Sequence, residues 1–250
     1  MDLQEIGMNI VDEPQSLSAF MVYGLVRAIQ HPKILFQTPP IQAVKAYLAI
    51  RRHSHSDIQQ LLQNVFGVDH TTYLQLLNEN TLPKTLYRYP SRILLYMLVR
   101  ITKPTYVVET GVGGGYASAH ILEALRLNNH GYLYSIDYHR TYDPSYYALE
   151  PGLPCGGVVP QYLRSRWTVS MESSQQELPK LLPRLGKIDM FIHDSLHTRD
   201  CAMYEYGLAW KYLKLGGLLV SHDIWAPWLD FLRIYNRSYV AYQSYGIAIK

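Results

Sequence analysis

Cysteine is nearly absent from these 250 residues: only Cys155 and Cys201 occur, far apart. That spacing supports neither a disulfide framework nor a cysteine metal site, and suits a reducing cytosol. Charge of one sign is missing too, since 23 basic and 20 acidic side chains leave a net +3. With no long Lys/Arg run, nothing argues for a nucleic-acid partner. The densest apolar run, Ile93 to Val99, falls far short of a membrane span. The opening Met-Asp-Leu-Gln-Glu-Ile is acidic and does not read as a signal peptide, so a cytoplasmic protein is expected. Internal repeats and low-complexity tracts are also lacking. Phenylalanine is scarce, at 5, whereas tyrosine reaches 22. Tyrosine joins apolar area to one polar tip and suits a partly wet pocket or interface.

What is present is organised around Tyr106 to Tyr116, Tyr-Val-Val-Glu-Thr-Gly-Val-Gly-Gly-Gly-Tyr. Val107 and Val108 suit an enclosed strand, and the glycines remove side chains where a backbone turns sharply and a ligand comes close. Ala117, Ile121, Leu122 and Leu125 then repeat at helical spacing. Strand, glycine turn and helix make a ligand cradle at the carboxyl end of a strand.

Around that cradle the chain reads as one large domain with an N-terminal appendage. Residues 1–82 are helical in pattern: a stripe at Leu17, Phe20, Met21 and Leu25, another after Pro40, a third at Ile58, Leu61, Leu62 and Val65 stopped by Gly67, and a fourth near Leu76. His53 and His55, beside Arg51 and Arg52, read as a solvated helix end. From residue 83 onward the order is an apolar helix after Pro90, the cradle strand and its helix, then Tyr132 to Ile136 ending at Asp137. His139 to Arg166 is long for a connection. Its Tyr142, Tyr146 and Tyr147 favour an ordered loop over the site. Strands follow at Trp167 to Ser170, Ile188 to His193 and Leu218 to Ser221. Between the last two lies a helical stripe at Cys201, Tyr204, Leu208 and Tyr212, which Gly216-Gly217 should stop. Pieces near Val240 and Ile247, joined at Gln243-Ser244, suit an antiparallel pair at the sheet edge.

Dinucleotides and S-adenosylmethionine both use such a cradle. A dinucleotide site wants Gly-x-Gly-x-x-Gly, but the sixth position from Gly111 is Tyr116. Glu109, just before the turn, would repel a pyrophosphate and attract a cationic sulfonium. Asp137 can accept from ribose hydroxyls in either class. Glu109-x-Gly111-x-Gly113-x-Gly115 resembles the first motif of class I S-adenosylmethionine-dependent methyltransferases, and Asp137 resembles their acidic residue after strand two. The likeness runs from about Leu82 to the C-terminus. It implies a doubly wound, mostly parallel seven-stranded α/β sheet, a Rossmann-like methyltransferase fold with its last strand antiparallel. It also implies a cofactor set of Glu109, Gly111, Gly113, Gly115 and Asp137, with Glu172 and Ser173 beside the adenine and Asp194 at the tip of strand four. Ile192-His193-Asp194-Ser195-Leu196-His197 resembles a branch with O-methyltransferases of antibiotic and sugar tailoring. S-adenosylmethionine-dependent O-methylation of a small molecule is the expectation; the alternatives are an inactive cofactor-binding scaffold and a nicotinamide oxidoreductase.

A hydroxyl acceptor must lose a proton, and near neutral pH histidine is the simplest base. Three candidates sit at strand tips: His197, His193 and His222. Some family members hold a divalent metal between an acid at the tip of strand four and an acidic pair at the tip of strand five. The matching positions are Asp194, His222 and Asp223, where histidine replaces the first acid of the pair. Magnesium prefers oxygen ligands, so imidazole turns the expectation toward manganese, iron or zinc. Trp225, Trp228 and the loop tyrosines are candidate acceptor-pocket walls, with core packing the competing account. The partners expected are a small-molecule acceptor and, through the N-terminal helices as lid or interface, a second copy of the chain. Neither nucleic acid nor membrane is expected.

Overall fold

The computed structural model describes residues 58–88, 90–138, 153–224 and 226–250. The sequence readings before Ile58, the loop tyrosines Tyr142, Tyr146 and Tyr147, and Trp225 lie outside the described residues.

Two short helices come first. In α1 (Ile58–Phe66) the apolar stripe buries Ile58, Leu61 and Leu62. Gly67, at φ 69°, ends it by returning its N–H to the Gln63 carbonyl at 2.9 Å. The second, α2 (His70–Glu79), starts where the Asp69 side chain accepts from the Thr72 N–H. Helix α3 (Ile93–Thr102) follows a short 3-10 turn at Pro90–Arg92. Its residues Leu94 to Val99 are all fully buried, as a helix that is apolar all round requires. Lys103, in the left-handed region, and then Pro104 end it.

The sheet has seven strands in the order β3-β2-β1-β4-β5-β7-β6. They are β1 (Tyr106–Thr110), β2 (Tyr132–Ile136), β3 (Trp167–Ser170), β4 (Ile188–His193), β5 (Leu213–Ser221), β6 (Val240–Tyr242) and β7 (Tyr245–Ile249). The first five run parallel, β7 pairs antiparallel with β5, and β6 pairs antiparallel with β7. Helix α4 (Tyr116–Leu127) links β1 to β2, α5 (Ser174–Leu185) links β3 to β4, α6 (Arg199–Tyr212) links β4 to β5, and α7 (Ala226–Ile234) precedes β6.

Strand residues alternate between two cores. Val107, Met190, Ile192 and Val220 join the cluster formed with α1 to α4, whereas Val108, Phe191 and Leu219 join the one formed with α5 to α7. Leu62 and Leu76 belong to the first cluster, so α1 and α2 share a core with the sheet. Each fully buried Leu, Ile or Phe contributes roughly 1.5–3 kcal/mol relative to exposure. The order in which strands are added reverses between β1 and β4, the switch point where such sheets open a crevice at their carboxyl ends.

Two local readings need correction. Gly216-Gly217 does not stop α6: that helix ends at Tyr212, and both glycines lie within β5, where the pairing with β4 shifts register. Gly216, at φ 77°, supplies the irregularity. The inward face of α6 is also turned from the expected stripe. Cys201, Ala202, Glu205, Tyr206, Ala209 and Trp210 are buried and Tyr204 is exposed, because a paired acid, Glu205, faces inward.

Candidate active site

The glycine turn divides its labour. Gly111 (φ 83°) is glycine because β4 crosses it: a Cβ there would stand 2.0 Å from the Asp194 carbonyl oxygen. Gly115 (φ 96°), at the N-terminus of α4, packs against Gly156 and Val159. Segment 153–160 is laid over the turn, with the Gly156 and Val158 N–H groups donating to the carbonyls of Gly113 and Gly114. Among the described residues, nothing lies within 4 Å of where a Cβ on Gly113 (φ 52°) would stand. Gly111 and Gly115 thus lie against neighbouring backbone, whereas Gly113 does not.

Asp137 follows β2 and is buried. Its Oδ2 accepts from the Val112 and Gly113 N–H groups, both at 2.8 Å. One oxygen therefore shapes the turn, rather than both standing ready for a pentose. Cys155 lies near: burial first, then the Asp137 charge, pushes its thiol up to about 12.

Glu109 is completely buried rather than fronting the turn. Its Oε2 accepts from Ser118 and Ser135, each at 2.7 Å, and the Ser135 hydroxyl in turn accepts from the Trp167 indole N–H at 2.8 Å. Its Oε1 has no hydrogen-bond partner. Burial, outweighing the two serines, raises the carboxyl to about 7. An orphaned buried carboxylate oxygen is the kind of feature a cationic ligand would satisfy. Glu172 is exposed just past β3, and Ser173 begins α5, its hydroxyl meeting Gln176 at 3.0 Å. Asp137 reaches the same edge through its N–H to the Ser170 carbonyl.

The tips of β4 and β5 gather the acid and histidine candidates. His222 Nδ1 lies 2.9 Å from Asp194 Oδ1 and 3.5 Å from Asp223 Oδ1. Burial alone would lower His222, but Asp194 and then Asp223 overcome it and raise it to about 9. Burial would raise Asp194; His222, Arg92 and His197 together hold it down to about 2. His197 Nε2 sits 3.4 Å from Asp223 Oδ2 and 3.8 Å from Asp194 Oδ1. Asp223 occupies the left-handed region at φ 50°, a sparsely populated conformation for a non-glycine residue. Arg92, from the turn before α3, reaches in with Nη1 3.3 Å from His222 Nε2 and Nη2 3.8 Å from Asp194 Oδ2. His193 points beneath the cluster, where its Nδ1 meets Glu205 at 2.7 Å. Donor atoms of Asp194, His197 and His222 lie within 4.8 Å of one another. His197 thus takes the place expected for Asp223 in a metal set. Trp228 is fully buried against Tyr206 and Tyr239, in the core and not in a pocket wall.

Residues 108–224 match a family described as a methyltransferase domain. The seven-stranded order and the acid-bearing glycine turn agree with the resemblance drawn from the sequence. Solved structures similar to this chain include the O-methyltransferase from Bacillus cereus in complex with SAH (14% identity, TM-score 0.47, covering 80% of this chain and 100% of that one). A putative O-methyltransferase from Klebsiella pneumoniae is similar at 14% identity and TM-score 0.48, covering 80% and 98%. TomG from Streptomyces achromogenes, an O-methyltransferase involved in tomaymycin synthesis and solved in complex with SAM, is similar at 16% and 0.46, covering 80% and 97%. No curated protein matches the chain. Among the described residues, no helix is long and apolar enough to cross a membrane.

Sequence reasoning missed Arg92 and Glu205. Arg92 stands directly before an apolar run, and Glu205 interrupts an inward stripe; each is a charge where the pattern expects none.

Proposed function

We propose that this protein is a methyltransferase that moves the methyl group of S-adenosylmethionine to a hydroxyl of a small molecule, such as a sugar or secondary metabolite. The observation that carries the reading is the pairing of Gly113 with two buried acids, Asp137 and the half-satisfied Glu109. When bound, the cofactor supplies a sulfonium-activated methyl electrophile. Glu109 would face its positive end, and the Asp137 oxygen not used by the turn would accept a ribose hydroxyl. Glu172 and Ser173 would border the adenine.

His197 is the base we favour. His222 is held as a cation by Asp194 and Asp223, and His193 is fixed beneath the site by Glu205. His197 would take the proton of the acceptor hydroxyl as that oxygen is methylated. Asp194 and Asp223 flank the imidazole and stabilise the charge it gains.

A metal reading rests on the convergence of Asp194, His197 and His222. Their nitrogen-rich set fits a softer divalent ion better than magnesium. The charges argue against a resident ion: the Arg92 guanidinium and the His222 cation already face Asp194 and Asp223. An ion would have to displace the His222 proton and stand close to Arg92.

Calorimetry with S-adenosylmethionine and with NADH, followed by mass analysis of hydroxylated acceptors, tests the reading. Binding of the first, no binding of the second and a product heavier by one methylene support it. Cofactor binding with no turnover on any acceptor class would leave the scaffold alternative, and NADH binding would overturn the reading.

A further inference from the structure

Glu205 lies in the middle of α6, fully buried. Its Oε2 accepts from Thr110 Oγ1 at 2.5 Å and His193 Nδ1 at 2.7 Å. Its Oε1 accepts from Ser195 Oγ at 2.8 Å and Cys201 Sγ at 3.4 Å. A buried carboxylate is tolerated only when its lone pairs are matched to donors, and these four are arranged around both oxygens.

The positions of those donors give the acid a role. Thr110 is the last residue of β1 and leads into the glycine turn. His193 is the last residue of β4 and pairs with Thr110 across the sheet. Ser195 follows Asp194, whose N–H donates to the Thr110 carbonyl at 2.8 Å. One carboxylate therefore grips, from beneath, both strand tips that frame the crevice. An ionised carboxylate accepts and cannot donate, so the His193 Nδ1 in contact with it carries a proton. That fixes the ring. Its edge then stands against His197, with centroids 5.4 Å apart and planes at 84°, and against Tyr206 at 5.0 Å.

We propose that Glu205 is a positioning residue: through Thr110, His193 and Ser195 it fixes the tips of β1 and β4, and through the His193 ring it sets the stance of His197. Its kinetic meaning rests on the methyl-transfer reading; its geometric content does not.

The test needs neither cofactor nor acceptor. Full-length protein labelled with 15N-histidine is examined by long-range proton–nitrogen correlation, with assignments from His193→Gln and His197→Gln. The expected wild-type spectrum shows a protonated-type Nδ1 on His193. In Glu205→Gln, the His193 ring loses its single tautomer and the His197 resonances shift. In Ser195→Ala, which removes a donor from the other oxygen, the His193 tautomer is kept. A bare Nδ1 in the wild type overturns the proposal, and that measurement stands even where Glu205→Gln does not fold. Unchanged His193 and His197 signals in folded Glu205→Gln overturn it as well, since an acid that only stabilised the fold would move the melting temperature and leave both rings alone. Failure of the cofactor to bind would overturn the methyl-transfer reading and leave these spectra decisive for Glu205.

Discussion

Replacing Glu109 with glutamine removes a charge while keeping an oxygen for Ser118 and Ser135 to donate to. The folded carboxyl is held at about 7 against an ordinary value of 4.5, with burial the main cause. Below pH 4.5 the group is protonated in both states and costs nothing. Between 4.5 and 7 the unfolded chain gains by ionising and the folded chain does not, so stability falls across that window and levels off above it. At roughly 1.4 kcal/mol for each pH unit the loss reaches about 3 kcal/mol. His120 pulls the other way, since burial lowers its imidazole to about 4 and stability is lost as pH falls from 6.5 through that value. Subtracting the Glu109→Gln curve from the wild-type curve removes the His120 contribution. Urea unfolding at pH 4.5 and pH 8 should therefore show the variant gaining about 3 kcal/mol relative to wild type at the higher pH. Ligand binding gives a second arm. A cation seated beside the orphan oxygen draws the carboxyl into its ionised form, and at pH 6.5 about three-quarters of it is protonated beforehand. S-adenosylmethionine binding measured in buffers of different ionisation enthalpy should release a comparable fraction of a proton in wild type and none in Glu109→Gln. Parallel stability curves together with buffer-independent heats would refute the reasoning.

The two glycines of the turn should behave differently. Gly111→Ala drives a Cβ into the Asp194 backbone and should cost several kcal/mol or prevent folding, whereas Gly113→Ala, which meets nothing among the described residues, should cost roughly 1–2 kcal/mol from its left-handed backbone alone and weaken cofactor binding; equal melting losses would contradict this. Asp137→Ala frees the amides of Val112 and Gly113 as well as removing a ribose acceptor, so calorimetry should show S-adenosylmethionine affinity falling by more than tenfold, about 1.4 kcal/mol. His197→Asn should lower turnover by roughly 100-fold or more, while a chelator leaves the wild type unchanged. Activity lost to the chelator and restored by manganese or zinc would move His197 to the metal reading.

The turn was legible because its determinants are local. A strand of Val107 and Val108, a run of glycines and a helical apolar repeat occupy consecutive positions, and each follows from backbone sterics and side-chain period. The seven-stranded, mostly parallel sheet with its last strand antiparallel was also foreseen, through the family likeness carried by Glu109 to Gly115 and Asp137. Individual roles were not legible. Whether a glycine admits a ligand or a neighbouring chain depends on what crosses it, and Gly111 is crossed by Asp194, more than eighty residues later in the sequence. Tyr204 was expected inside and Glu205 drew no expectation, because hydrophobicity ranks single residues and does not see partners.

By itself the sequence determined the α/β alternation, the glycine turn and the acid that follows β2, since these arise from neighbours along the chain. Tertiary structure alone decided that Glu109 is buried and half-satisfied, that Arg92 faces Asp194 and His222, and that His193 is turned beneath the site while His197 stays among the acids. The reason is that charge and protonation depend on distance in space: His222 and Asp194 meet at 2.9 Å only when β4 and β5 lie side by side.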